Sequence, residues 1–114
     1  MPHHRGVGKV AEDRAAAFLR GKGFTLLTRR FKAKRGELDL VALDRETIVF
    51  IEVKMRAHSA DLPEEALSEL KRKRLALAAE EYLANYEGPE RQVRFDVIAI
   101  DAKGIRHYEE AFWP

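Results

Sequence analysis

The stretch from Gly36 to Lys54, GELDLVALDRETIVFIEVK, reads as two β-strands joined by a tight turn at Asp44-Arg45-Glu46-Thr47. Asp39, Glu52 and Lys54 stand inside its most apolar runs. Charged side chains are rare in such places unless they are paired or bound to metal. Any fold for this chain has to make those three charges tolerable.

Centring the hairpin between Arg45 and Glu46 sets Leu43 opposite Ile48, Val41 opposite Phe50, and Asp39 opposite Glu52. Glu37 then faces Lys54, an ion pair that would account for the lysine without any chemistry. Side chains alternate with period two, so Asp39, Glu52 and Lys54 project to one side. Directly opposed carboxylates about 5 Å apart repel by roughly 3 kcal/mol at an effective dielectric near 20. Nothing in folding offsets that repulsion, whereas a divalent cation would. Mg2+ or Mn2+ is held by one or two carboxylates together with substrate phosphate oxygens. Lys54 could then position the attacking water or neutralise charge in the transition state. An acid pair, a metal and a cation are the minimal set for hydrolysing a phosphodiester.

The flanking segments predict the rest of the fold. A helix is expected from about Gly8 to Lys22, with Ala11, Glu12, Ala15, Ala16, Phe18 and Leu19 on one broad arc. Glu12 is the odd member, an acid on the buried face. GKGF stops that helix, with Gly23 as its cap. TLLTRRFKAKRG reads as a short strand running into a basic loop, in which Phe31 is expected to pack. A long helix is expected from about Pro63 to Tyr86, with a drifting stripe of Leu67, Leu70, Leu75, Ala79, Tyr82 and Leu83. QVRFDVIAID and GIRHYEEAF add two strands, with Arg94 and Asp96 as a structural ion pair. The order α, β, β, β, α, β, β implies an α/β sandwich around a mixed central sheet.

Composition narrows the function. At 114 residues one domain, 1–114, is expected. There is no cysteine, which excludes disulfides, thiolate zinc sites and a cysteine nucleophile. No run of about 18 apolar residues exists, so no membrane span is expected. MPHHRGVGKV lacks the apolar core of a secretory signal, and a cytosolic protein is the simplest expectation. His3 and His4 are expected to be disordered. Up to Arg35 the chain carries ten lysines and arginines against two acids, while the remainder is net acidic. Such clustered positive charge points to a polyanion, nucleic acid foremost. Arg29, Arg30, Lys32, Lys34 and Arg35 precede the acidic hairpin, Arg56 follows Lys54, and Lys71 to Arg74 form KRKR on a helix. That run crosses all sides of the helix, so only some of it, Lys71 and Arg74 foremost, is expected to reach a nucleic acid.

GVGKVAEDRAAAFLRGKGF, GELDLVAL, VFIEVKMR, ELKRKRL and RFDVIAI…AF resemble, in order and spacing, the YraN-like family of uncharacterised bacterial proteins. That family is similar to archaeal Holliday-junction resolvases of the PD-(D/E)XK nuclease superfamily. The resemblance covers about residues 6 to 112. It implies a restriction-endonuclease-like three-layer sandwich and a metal-dependent endonuclease acting on DNA, branched or junction DNA included. Asp39 matches the motif aspartate, with Leu38 where the name-giving proline often stands, and Glu52-Val53-Lys54 matches E-x-K. By resemblance Asp39, Glu52 and the Val53 carbonyl would ligate the metal, and Glu12 would bind it directly or through water. A symmetric junction would call for a homodimer. Two rivals stand beside this expectation: a nucleic-acid-binding module without catalysis, and a protein-interaction domain whose buried charges are structural pairs.

Overall fold

A computed structural model describes residues 2–55 and 67–113, with side chains described from Gly8 onward. Among the described residues two helices and five strands follow in the expected order: α1 (Pro2–Gly21), β1 (Thr25–Ala33), β2 (Gly36–Asp44), β3 (Thr47–Met55), α2 (Glu69–Ala84), β4 (Val93–Asp101) and β5 (Gly104–Tyr108). The strands form one sheet in the order β1-β2-β3-β4-β5. Only β3 and β4 are parallel; the other neighbours are antiparallel. The connection between those parallel strands carries α2, as a parallel pairing requires.

Among the described residues each face of the sheet carries one helix. Ala11, Ala15 and Leu19 of α1 pack on Leu40, Ala42, Val49, Ile51, Ile98 and Ile100. On the other face, Leu75, Ala78 and Ala79 of α2 pack on Val41, Ile48, Phe50, Phe95 and Val97. Alternate residues of β3 therefore serve opposite cores, which explains why its sequence is apolar without a break. The result is the expected three-layer α/β/α sandwich on a mixed sheet. Among the described residues no helix is long and apolar enough to cross a membrane.

Several boundaries differ from those expected. The backbone of α1 is already helical from Pro2, so His3 and His4 lie within the helix, and its proline stands where a missing N–H is harmless. The basic segment after Leu27 is strand rather than loop: β1 continues to Ala33, paired along β2 around an irregularity at Leu27. Charged side chains suit such an edge strand, because they keep its free side in water. Helix α2 begins at Glu69, where the Ser68 hydroxyl caps it by accepting the Lys71 N–H at 3.0 Å, and ends at Ala84. The expected first turn near Pro63 lies outside the described residues. Leu70 and Leu83, assigned to the buried stripe, are exposed. The seam instead follows Leu75, Ala78, Ala79, Tyr82 and Tyr86, the spacing of one helical face.

Polar ties fasten α1 across the sheet. Near its middle, Asp13 pairs with Arg29, and Glu12 pairs with Arg30 of β1 at 2.6 Å. Just past its C-terminal end, the Lys22 ammonium donates to His107 Nδ1 at 2.7 Å. The other ring nitrogen of His107 is 2.7 Å from fully buried Asp96, which fits a neutral ring donating from Nε2. Asp96 also accepts from Arg94 and from the Glu110 N–H, so the expected Arg94–Asp96 pair is part of a larger network. Burial raises the proton affinity of Asp96, but these donors outweigh it and hold the carboxyl below its ordinary value.

Gly36 sets how closely the β1–β2 turn approaches α2. A Cβ there would lie 2.6 Å from the carbonyl oxygen of Arg74, a backbone atom that cannot rotate away. Gly36→Ala is therefore expected to destabilise the chain by about 1–3 kcal/mol in urea unfolding. Gly21→Ala, with nothing within 4 Å of its Cβ, should change stability by less than about 0.5 kcal/mol.

Candidate active site

β2 and β3 pair in the expected register from Asp44↔Thr47 to Leu40↔Ile51, where the ladder ends. One residue further on, Asp39 aims its carboxylate across the gap, and Oδ2 accepts the Val53 N–H at 2.8 Å. A side chain thereby does the work of the next backbone acceptor and leaves no orphaned donor. The partner strand β1 is disturbed at the same level. Arg30 has φ +56°, and no ladder pair joins it to Asp39. This local break redirects side chains: Leu38 packs with the α2 core although Leu40 packs with the α1 core.

The break brings Asp39 and Glu52 together. Burial, and then the adjacent Glu52 carboxylate, push the Asp39 carboxyl up to about 7. The Val53 N–H and the Lys71 ammonium pull the other way without prevailing. Asp39 thus keeps its proton up to about pH 7, far above the range of an ordinary carboxylate. Glu52 itself is 5 % exposed. Its Oε2 lies 3.2 Å from Lys71 Nζ, while Oε1 is buried with no hydrogen-bond partner. An unpartnered buried carboxylate oxygen demands a physical explanation. Beside a second acid, it fits the donor set that Mg2+ or Mn2+ requires, since these ions need only one or two carboxylates from the protein.

Glu12 stands apart from that pair. It is buried on α1, on the other face of the sheet, and its Oε1 accepts from Arg30 Nε at 2.6 Å. Burial pushes its carboxyl above the ordinary value, opposed by Arg30 and reinforced by the charge of Asp39. Among the described residues no three His, Cys, Asp or Glu side chains converge on a common point. Lys54 lies two residues beyond Glu52 on β3, half-buried and level with Ala99 of β4. The expected Glu37–Lys54 pairing does not form in the ladder: beyond Leu40 strand β2 stays with β1, where Glu37 is opposite Lys32.

The basic residues divide into two groups. Arg29 and Arg30 are engaged by the acids of α1. Lys32 and Glu37 of the first hairpin, with Lys71 and Arg74 of α2, line a groove of ≈ 360 Å³ that leads to Glu52 through Lys71. Lys34 and Arg35 line a neighbouring groove of ≈ 590 Å³ with Lys73 and Arg74. Nothing in the spacing of KRKR singles out Lys73; the turn at Gly36, folded back on α2, brings it in. Arg56 lies outside the described residues.

The family described as "Uncharacterised protein family UPF0102" matches residues 11–100. A UPF0102 protein of Chlorobium phaeobacteroides is 45% identical over 103 residues, covering 90% of this chain and 80% of its own. One from Persephonella marina is 37% identical over 106 residues, covering 92% and 91% respectively. Another, from Ralstonia nicotianae, is 40% identical, covering 97% of this chain and 89% of its own. The fold and site thus define an α/β sandwich in which a buried glutamate stands beside a half-buried aspartate at a break in the sheet. The chain belongs to the UPF0102 family, in keeping with the YraN-like resemblance of its motifs.

The raised Asp39 carboxyl has a measurable consequence without any ion. A carboxyl whose value rises from 3.8 unfolded to about 7 folded stabilises the fold most when protonated, and this contribution fades as pH climbs through about 7. In the presence of a chelator, the urea midpoint should fall between about pH 5 and about pH 8. Asp39→Asn should remove most of that fall.

Proposed function

We propose that this chain is a metal-dependent endonuclease that hydrolyses phosphodiester bonds of DNA. One observation carries the reading: a buried Glu52 oxygen without a partner, beside an Asp39 carboxyl that burial and Glu52 push up to about 7. In this reading Asp39, Glu52 and the Val53 carbonyl hold Mg2+ or Mn2+. When bound, that ion would lower the pKa of an attacking water and offset charge on the phosphate. Lys54 projects from the same face of β3 as Glu52 and supplies a cation to orient the water or steady the developing negative charge. Glu12, held by Arg30 across the break, contributes through its field or through water rather than as a third close ligand.

Lys32, Lys34, Arg35, Lys71 and Arg74 would grip backbone phosphates, which fixes position without reading sequence. Arg29 and Arg30 contribute less, because acids of α1 already engage them. The resemblance to junction resolvases supports branched DNA as the substrate class. A symmetric junction would be cut by two copies of the chain.

A second reading, a DNA-binding module without catalysis, draws on the protein cations that reach Glu12 and Glu52. Incubation with single-stranded, duplex, flap and four-way-junction DNA separates the two. With Mg2+ or Mn2+, wild type should cut at least one of these, and chelation should stop it. Glu52→Ala and Lys54→Ala should each lower the rate by about a hundredfold or more. Cleavage by both variants at the wild-type rate would implicate a contaminant, and binding without cleavage would favour the second reading. In the binding arm, Lys32→Ala and Arg74→Ala should each reduce the salt dependence of affinity by about one phosphate contact.

A further inference from the structure

Four acids are buried among the described residues: Glu12, Glu52, Asp96 and Asp101. Three of them are held by arginine, through the pairs Arg30–Glu12, Arg94–Asp96 and Arg106–Asp101. Glu52 alone meets a lysine, Lys71, at one oxygen only. The difference is chemical. A guanidinium offers a rigid fork of donors suited to a permanent pair, whereas an ammonium is a strongly hydrated point charge on a flexible stem. A lasting buried pair also needs its remaining lone pairs satisfied, and Glu52 Oε1 has none of that. The Lys71 contact has the character of a placeholder.

The position of Lys71 suits exchange. Its backbone is fixed in the first turn of α2, where its N–H is bound by the Ser68 hydroxyl. Its side chain is 43% exposed and borders the groove that also holds Lys32 and Arg74. Rotation about the lysine stem can therefore carry the charge from Glu52 to the groove without moving the helix.

We propose that Lys71 is the counter-ion a divalent cation displaces from Glu52, and that the freed ammonium then binds a substrate phosphate in the adjoining groove. The inference rests on the reading of Asp39 and Glu52 as a metal site. Its consequence is linkage. Ion binding makes Lys71 available to the nucleic acid, and the nucleic acid, by holding Lys71 away, strengthens ion binding by the same factor. Lys71 is accordingly a positioning residue that acts on the site through Glu52.

Mn2+ affinity, measured by the electron paramagnetic resonance signal of free Mn2+ at mildly alkaline pH, tests the first half. Lys71→Met should bind Mn2+ about five- to ten-fold more tightly than wild type, since one competing charge is gone. Lys73→Met makes the same change of net charge on the same helix and should alter affinity less than about twofold. A four-way-junction oligonucleotide, with Ca2+ replacing Mg2+ to suppress cleavage, tests the second half. Ca2+ should raise the DNA affinity of wild type and leave that of Lys71→Met nearly unchanged. Equal Mn2+ affinity in Lys71→Met and wild type overturns the displacement, and an equal Ca2+ effect on DNA binding overturns the transfer to phosphate. Absence of Mn2+ binding in both proteins overturns the inference together with the metal site. Tighter Mn2+ binding by Lys71→Met without cleavage of any DNA supports the displacement and removes only the nuclease reading.

Discussion

The acceptance of the Val53 N–H by Asp39 organises the molecule around it. Because a side chain takes that donor, β2 and β3 can part after Leu40 and Ile51 without leaving a bare backbone group in the interior. Where the strands part, Asp39 and Glu52 stand close enough for each carboxyl to feel the other. Two buried carboxyls so placed cannot both be charged at low expense, and the proton retained by Asp39 is the fold's own answer to the problem. In the proposed reading a cation would be the other answer, neutralising the same two groups when bound.

The two faces of the sheet use charge differently. On the α1 face, Arg29, Arg30 and Arg94 are matched with acids in close pairs. On the α2 face, lysines and arginines of the first hairpin and the second helix face one another across open grooves. Such juxtaposed like charges are unfavourable in isolation and become favourable when phosphates lie between them. The close contact of Gly36 with the Arg74 carbonyl holds these two basic segments near each other.

The layer order, the strand count and the hairpin register were legible in the sequence, because each rests on local periodicity. Alternation across Asp44↔Thr47 to Leu40↔Ile51 follows directly from where the turn falls. What the sequence could not convey was the loss of that alternation at Asp39. Extrapolating the ladder three residues further predicts a Glu37–Lys54 pair, but the β2–β3 ladder has ended by then and β2 continues with β1 alone. The buried status of Glu12 and Glu52 was readable from their apolar neighbours; their partners were not. Arg30 and Lys71 come from distant segments whose approach depends on tertiary packing. The same reason explains Leu70 and Leu83, apolar residues near the expected stripe that lie just off the seam facing the sheet.

The ties of α1 have a mechanical meaning. Acids at its middle bind arginines of β1, one border of the sheet, while Lys22 just beyond its end binds His107 of β5, the opposite border. The helix therefore acts as a diagonal brace. Neither outer strand can peel away without breaking a contact to the same rigid rod, so loosening at one border is felt at the other. A sheet interrupted in its interior, between β2 and β3, keeps its shape because the frame around the interruption is braced from rim to rim.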